Sequence, residues 1–210
     1  MMKLKRFLKE IKRASKFIHE KKWACASEGN LSVLLNEKYI LITSKGAKIR
    51  DLIKNPIKNL SLIKIEENKF TLIKGKEPSS ETLAHFLSYK EILKNNLKEN
   101  YLLHLHPENI IAISHLVKNE KELNKILKGV HFEFEYFFPE GIGFIKEKKP
   151  GSIELAKENA KKISKYKCVI WKKHGIISRG KSFEECIERI EILEKIAGIY
   201  LKLFYFKKFF

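Results

Sequence analysis

The sequence predicts an α/β fold, three-layered and α+β-like in its connections, with a central mixed, largely antiparallel sheet and helices on both faces. Three observations carry this. Strand-like runs come in close pairs, 31–35 with 38–43 and 61–66 with 69–74, joined by turns too short for a crossover helix. Helical stretches open the chain, close it, and alternate with single strands between. Strands also outnumber the strand–helix–strand units that an all-parallel sheet would need.

Taken in order, residues 3–22 place Leu4, Phe7, Leu8, Ile11, Ala14, Phe17 and Ile18 at helical spacing. The turn-rich Ser27-Glu28-Gly29-Asn30 leads into the first hairpin, which reverses at Asn36-Glu37; the second reverses at Glu67-Asn68. Ser79 or Ser80 caps a helix reaching about residue 95. Tyr101 to His106 reads as a strand stopped by Pro107, followed by helices over about 108–117 and 119–128. Phe132 to Phe138 alternates acid and aromatic residues and predicts another strand. A short strand, 142–145, precedes Pro150-Gly151-Ser152, a helix start, and that helix ends near Ser164. A buried strand over 166–171 returns through the His174-Gly175 turn as 176–178, and the last helix runs from Ser182 to about 204. No repeat, low-complexity tract or linker interrupts residues 1–210, so a single domain is expected.

The 43 basic residues against 25 acidic ones give a net charge of +18, which first suggests nucleic acid. Only Arg6, Arg13, Arg50, Arg179 and Arg189 are arginine, whereas base and phosphate readers favour its planar fork. The lysines are spread along the whole chain, and lysine–glutamate enrichment also accompanies thermophily. No specific nucleic-acid partner is expected; the positive field suits an anionic small substrate. No apolar run approaches the roughly 18 residues of a membrane span, and no cleavable apolar segment follows the basic N-terminus. A cytoplasmic protein without a membrane partner is expected. Cys25, Cys168 and Cys186 form neither a disulfide framework nor a zinc pattern, and read as buried free thiols.

Chemistry concentrates at His104-Leu105-His106. Side chains two apart on a strand leave the same face, so both imidazoles can converge on one ion, at roughly 2.0–2.1 Å for zinc. His174 stands at another strand's exit and Glu81 at a helix start. Three neutral imidazoles with an open fourth position make a catalytic rather than a structural zinc site. The plainer alternatives are packing histidines and a Glu81 that merely favours the helix dipole. Gly29-Asn30, Ser44-Lys45-Gly46 and Ser79-Ser80 offer amide and hydroxyl donors that suit a phosphate, although each alone is an ordinary turn or cap. His19, His85, His115 and His131 read as surface or packing residues, with His85 one turn from Glu81. The aromatic run Tyr200 to Phe206 reads most simply as core packing, with a subunit contact or a tyrosine reaching a site as alternatives.

In their order, Gly29-Asn30-Leu31-Ser32, Ile42-Thr43-Ser44-Lys45-Gly46, Pro78-Ser79-Ser80-Glu81, His104-Leu105-His106-Pro107 and Lys173-His174-Gly175 resemble the class II aldolase/adducin family, over about residues 10–200. Ala84-His85-Phe86-Leu87-Ser88, Phe138-Pro139-Glu140-Gly141-Ile142-Gly143 and Pro150-Gly151-Ser152 are similar to its branch acting on L-rhamnulose 1-phosphate. The resemblance implies Zn2+, or another divalent transition metal, on His104, His106 and His174, with Glu81 as catalytic acid/base. It places Gly29, Asn30, Thr43, Ser79 and Ser80 at the substrate phosphate. It also makes Glu133 a second catalytic carboxylate, reaching the site from a neighbouring subunit of a homotetramer.

The implied reaction is cleavage of a phosphorylated sugar, a ketose 1-phosphate, to dihydroxyacetone phosphate and, for L-rhamnulose 1-phosphate, L-lactaldehyde. L-fuculose 1-phosphate or a 5-deoxypentulose 1-phosphate, a same-fold epimerase or dehydratase, and a non-catalytic adducin-like interaction module are the alternatives. Several residues depart from the family pattern. Lys45 interrupts a small-residue loop and Glu28 replaces a small residue beside the phosphate loop; Lys172-Lys173 precede His174 where apolar or amide residues are usual.

Overall fold

The structure is a computed structural model and describes residues 2–209. The chain runs α1 (Met2–Glu20), β1 (Asn30–Asn36), β2 (Tyr39–Thr43), α2 (Ile49–Lys54), a 3-10 turn (Ile57–Asn59), β3 (Leu60–Ile65), β4 (Phe70–Lys74) and α3 (Thr82–Lys94). It continues through β5 (Tyr101–Leu105), α4 (Glu108–Leu116), α5 (Glu120–Val130), α6 (Glu133–Phe137), β6 (Gly143–Ile145), α7 (Ile153–Ile163), β7 (Cys168–Trp171), β8 (Gly175–Gly180) and α8 (Phe183–Phe209). The strands form one sheet in the order β4-β3-β2-β1-β5-β8-β7-β6. Every pairing is antiparallel except the parallel β6–β7 edge, the mixed sheet that the hairpin spacing predicts.

The sheet's two faces feed two cores, because alternate side chains leave opposite faces. Leu31, Val33, Leu103 and Leu105 face the layer of α1, α2, α4, α5 and α8, with Ile11, Leu52, Ile113, Leu127 and Leu193. Leu34, Ile42, Leu102 and Trp171 face α3 and α7, with Ala84, Tyr89, Leu155 and Ile163. Burying each such aliphatic side chain contributes about 1.5–3 kcal/mol. A polar strut crosses the second core: the Trp171 indole N–H donates to Asn159 Oδ1, and the Asn159 amide donates to Ser88 Oγ, both at 2.9 Å. It fixes β7, α7 and α3 to one another.

Three sequence expectations are corrected. Residues 132–138 are not a strand: Glu133–Phe137 is α6. Its two-residue alternation contains a four-residue spacing, Phe134 and Phe138, and these two are buried while Phe132 and Tyr136 are 95% and 80% exposed. A helix satisfies that burial pattern, and a strand would have put all four on one face. The stretch between the two hairpins, for which the sequence predicts no element, holds α2 and the 3-10 turn; six residues are too few to display a helical period. Cys25 is exposed in its turn, whereas Cys168 and Cys186 are buried free thiols as expected. Finally, Phe204, Tyr205 and Phe206 at the end of α8 are exposed, whereas Tyr200 at the start of the run packs, partly buried, against the first core.

Candidate active site

β5 lies between β1 and β8, with His104 opposite both Asn30 and Ile177. That position leaves the His104 side chain wholly buried. Its Nδ1 lies 2.9 Å from the Ile176 carbonyl, which assigns the proton to Nδ1 and turns the Nε2 lone pair inward. The ring stacks on Trp171, with centroids 4.3 Å apart. The strand ends one residue before His106, whose backbone N–H bonds the Trp23 carbonyl at 2.9 Å instead of a neighbouring strand. His106 Nε2 then stands 2.9 Å from His104 Nε2.

His174 enters from the turn between β7 and β8, where Lys173 takes a positive φ of 62°. The next residue must be small: a Cβ on Gly175 would lie 2.4 Å from the Leu105 carbonyl and 3.2 Å from atoms of both His104 and His106. One ligand atom from each of the three histidines lies within 4.8 Å of the others. Nitrogen lone pairs brought so close repel unless a proton or cation sits between them. The donor set therefore fits a divalent metal of the zinc type.

Glu81 completes the cluster. The expected serine cap moves: α3 begins at Thr82, and Ser79 Oγ accepts the Glu81 N–H at 3.3 Å. Glu81 occupies the N-cap position, but its carboxylate turns to the histidines. Oε2 lies 3.2 Å from His104 Nε2 and Oε1 lies 3.1 Å from His174 Nε2. Asn30 donates its amide to Oε2 at 2.6 Å. The bridge between Ser44 and Pro78, with Ser79 N–H on the Thr43 carbonyl at 3.0 Å, brings this segment over the sheet end.

Burial alone would raise the Glu81 pKa, but His104, His174 and the Asn30 amide outweigh it and hold the carboxyl well below its usual range. Burial pushes His104 down to about 4, against the pull of Glu81, and His106 to about 3. Near neutral pH the site thus presents a carboxylate beside uncharged His104 and His106 rings, the state in which imidazole ligates metal.

Beside this cluster lies a cavity of about 390 Å³, lined by Gly29, Asn30, Thr43, Ser79 and Ser80 together with Glu81 and His106. All five residues expected at a phosphate are thus gathered next to the histidines. A larger cleft of about 1010 Å³ runs along α8, but none of the four cluster residues lines it. Glu133 sits on α6 and does not line the histidine-side cavity. Lys45 lies in the cavity wall, its ammonium 2.8 Å from Glu77.

One feature escaped the sequence pattern, and one packing residue gained definition. Trp171 supports the His104 ring, which no spacing reveals. His85 is wholly buried, with Nδ1 2.7 Å from Ser32 Oγ, which in turn lies 2.9 Å from the Tyr89 hydroxyl. Its one-turn offset from Glu81 was the available signal.

A three-layer fold around a largely antiparallel sheet, with three histidines and a glutamate at one sheet end, defines a class II aldolase-type domain. The chain belongs to the family described as Class II Aldolase and Adducin N-terminal domain, which it matches over residues 9–201. It is similar to the rhamnulose-1-phosphate aldolase of Klebsiella pneumoniae, 28% identical over 194 residues that cover 88% of this chain and 70% of that protein. The rhamnulose-1-phosphate aldolase of Salmonella heidelberg is 29% identical over 195 residues, covering 89% and 70%. These relatives are named as aldolases, a class of lyase. Among solved structures, a sugar-phosphate aldolase from Thermotoga maritima superposes with a TM-score of 0.87 at 27% identity, covering 97% of each chain. The L-fuculose-1-phosphate aldolase from Thermus thermophilus shares the fold, with a TM-score of 0.75 at 18% identity over 97% of this chain and 96% of that one. No helix among the described residues is long and apolar enough to cross a membrane.

Proposed function

We propose that this chain is a zinc-dependent aldolase that cleaves a ketose 1-phosphate, foremost L-rhamnulose 1-phosphate, to dihydroxyacetone phosphate and L-lactaldehyde. One observation carries the proposal: Glu81 and three histidine nitrogens converge beside a cavity lined with hydroxyl and amide donors. The names of the curated relatives support the choice of sugar.

His104, His106 and His174 would hold the ion, which when bound acts as a Lewis acid toward the substrate's carbonyl and hydroxyl oxygens. Glu81, ionised at rest, moves the proton at the carbon next to that carbonyl. Its reach is set by the Asn30 amide, which holds one oxygen while the other faces His174. Gly29, Asn30, Thr43, Ser79 and Ser80 bind the phosphate and fix the far end of the substrate, turning an encounter into an oriented complex. Burial of His104 and Trp171 keeps water from the back of the site.

Glu133 acts at the aldehyde end from a neighbouring subunit of a homotetramer, consistent with its position on α6 away from this chain's own cavity. The whole chain works as one domain, in the cytoplasm, on a phosphorylated sugar and without a specific nucleic-acid partner. Incubating zinc-loaded protein with a panel of ketose 1-phosphates tests the reading. Dihydroxyacetone phosphate should appear fastest from L-rhamnulose 1-phosphate. Epimerised or dehydrated products without C–C cleavage would refute it.

A further inference from the structure

The three histidines differ in what holds the ring nitrogen that turns away from the cluster. His104 Nδ1 bonds the Ile176 carbonyl at 2.9 Å. His174 Nδ1 is buried with no hydrogen-bond partner among the described residues. His106 Nδ1 faces a carboxylate instead: Glu28 Oε1 lies 3.9 Å away, and no other acceptor among the described residues stands against that nitrogen. The Glu28 carboxylate is itself anchored, because its Oε2 accepts the Cys25 backbone N–H at 3.1 Å.

We infer that Glu28 is a positioning residue for the metal centre, a carboxylate that closes from 3.9 Å onto the Nδ1–H of His106 when the ion is bound and aims its Nε2 at that ion. The inference rests on the proposed metal site and adds a residue to it. With His106 Nε2 turned to His104, the proton of the neutral ring belongs on Nδ1, which the Glu28 carboxylate faces from 3.9 Å. An outer carboxylate of this kind fixes ring orientation and strengthens the ligand.

The arrangement also accounts for a charge that otherwise conflicts with its surroundings. Glu28 lines the same cavity as the donors proposed for phosphate, where a free carboxylate would repel the substrate. One oxygen is taken by Cys25 and the other faces His106, so the negative charge is directed to the metal side of the cavity. Glu28 is also half-exposed and sits in a turn, so removing its charge leaves both cores untouched.

Glu28→Gln is the informative variant, since its amide oxygen can still accept the Cys25 N–H while the charge is lost. Zn2+ affinity is measured by chelator competition on metal-free wild type and variant, alongside the melting temperature of each metal-free form. Co2+ loading adds the visible absorption spectrum, which reports ligand geometry. The expected result is affinity about 10- to 100-fold weaker in Glu28→Gln, an altered Co2+ spectrum, and an unchanged metal-free melting temperature. Affinities within twofold of each other would overturn the role of Glu28 and leave the metal site standing. A weaker affinity matched by a lower metal-free melting temperature would also overturn it, as a sign of a merely structural role. Wild-type protein that takes up no Zn2+ would overturn this inference together with the proposed function.

Discussion

Glu81 and His174 meet through Oε1 and Nε2 at 3.1 Å, although one heads α3 and the other ends the turn between β7 and β8. The contact means that a helix start and a distant strand return share one charge. The most direct prediction concerns that charge. Glu81→Gln should retain Zn2+ on the three histidines yet lose about 10²- to 10⁴-fold in kcat, the range for removing a general acid/base. Metal content and steady-state kinetics on the same preparation check it, and near-normal turnover would remove Glu81 as the base.

His104→Ala should abolish stoichiometric metal binding, because the ring's Nε2 faces both His106 and Glu81. Elemental analysis after metal-replete purification reads the outcome. Retained zinc stoichiometry would contradict the ligand assignment.

Gly175→Ala should destabilise the fold by about 1–3 kcal/mol, since its Cβ would meet the Leu105 carbonyl at 2.4 Å, backbone that cannot yield cheaply. For a chain of this length, thermal melting should fall by about 2–4 °C per kcal/mol. The same Cβ would press on His104 and His106, so metal affinity should fall as well. A melting temperature equal to wild type would show that the two strands separate more easily than the close approach implies.

The metal-free protein should lose stability in mild acid partly through His85, which burial holds at about 4 against a usual 6.5, with Glu81 pulling the other way. The unfolded chain then binds the proton more readily than the folded one. Stability from this group is complete above about pH 6.5, declines as pH falls toward about 4, and is flat below. At about 1.4 kcal/mol per pKa unit the total reaches roughly 3 kcal/mol. Urea unfolding across this window should give a shallower pH slope in His85→Gln, and identical slopes would exclude the group.

The architecture was legible where sequence period and burial agree. The hairpins of β1–β4 and the long first and last helices follow from apolar spacing, which the two cores consume directly. Residues 132–138 misled because an alternation of two contains the helical spacing of four, and only the partner surface on α5 and α8 decides between them. The site was legible as residue types: His104 and His106 announce themselves, whereas their meeting with His174 depends on the passage that Gly175 permits. Asn30 lines the cavity expected to take the phosphate and also donates its amide to Glu81, a second contact made by strand pairing opposite His104 rather than by local motif. The stacking of Trp171 beneath His104 was not legible, because it arises from β7 lying two strands from β5 in the sheet.

The histidine–glutamate cluster is expected to break a carbon–carbon bond in a ketose 1-phosphate. The decisive measurement is the formation of dihydroxyacetone phosphate from L-rhamnulose 1-phosphate by Zn2+-loaded protein, run beside Glu81→Gln and a chelator-stripped sample. The loaded wild type should release dihydroxyacetone phosphate rapidly, and both controls should lose nearly all of that release. Equal rates in all three samples, or no cleavage of any ketose 1-phosphate by protein carrying its full metal complement, would contradict that expectation.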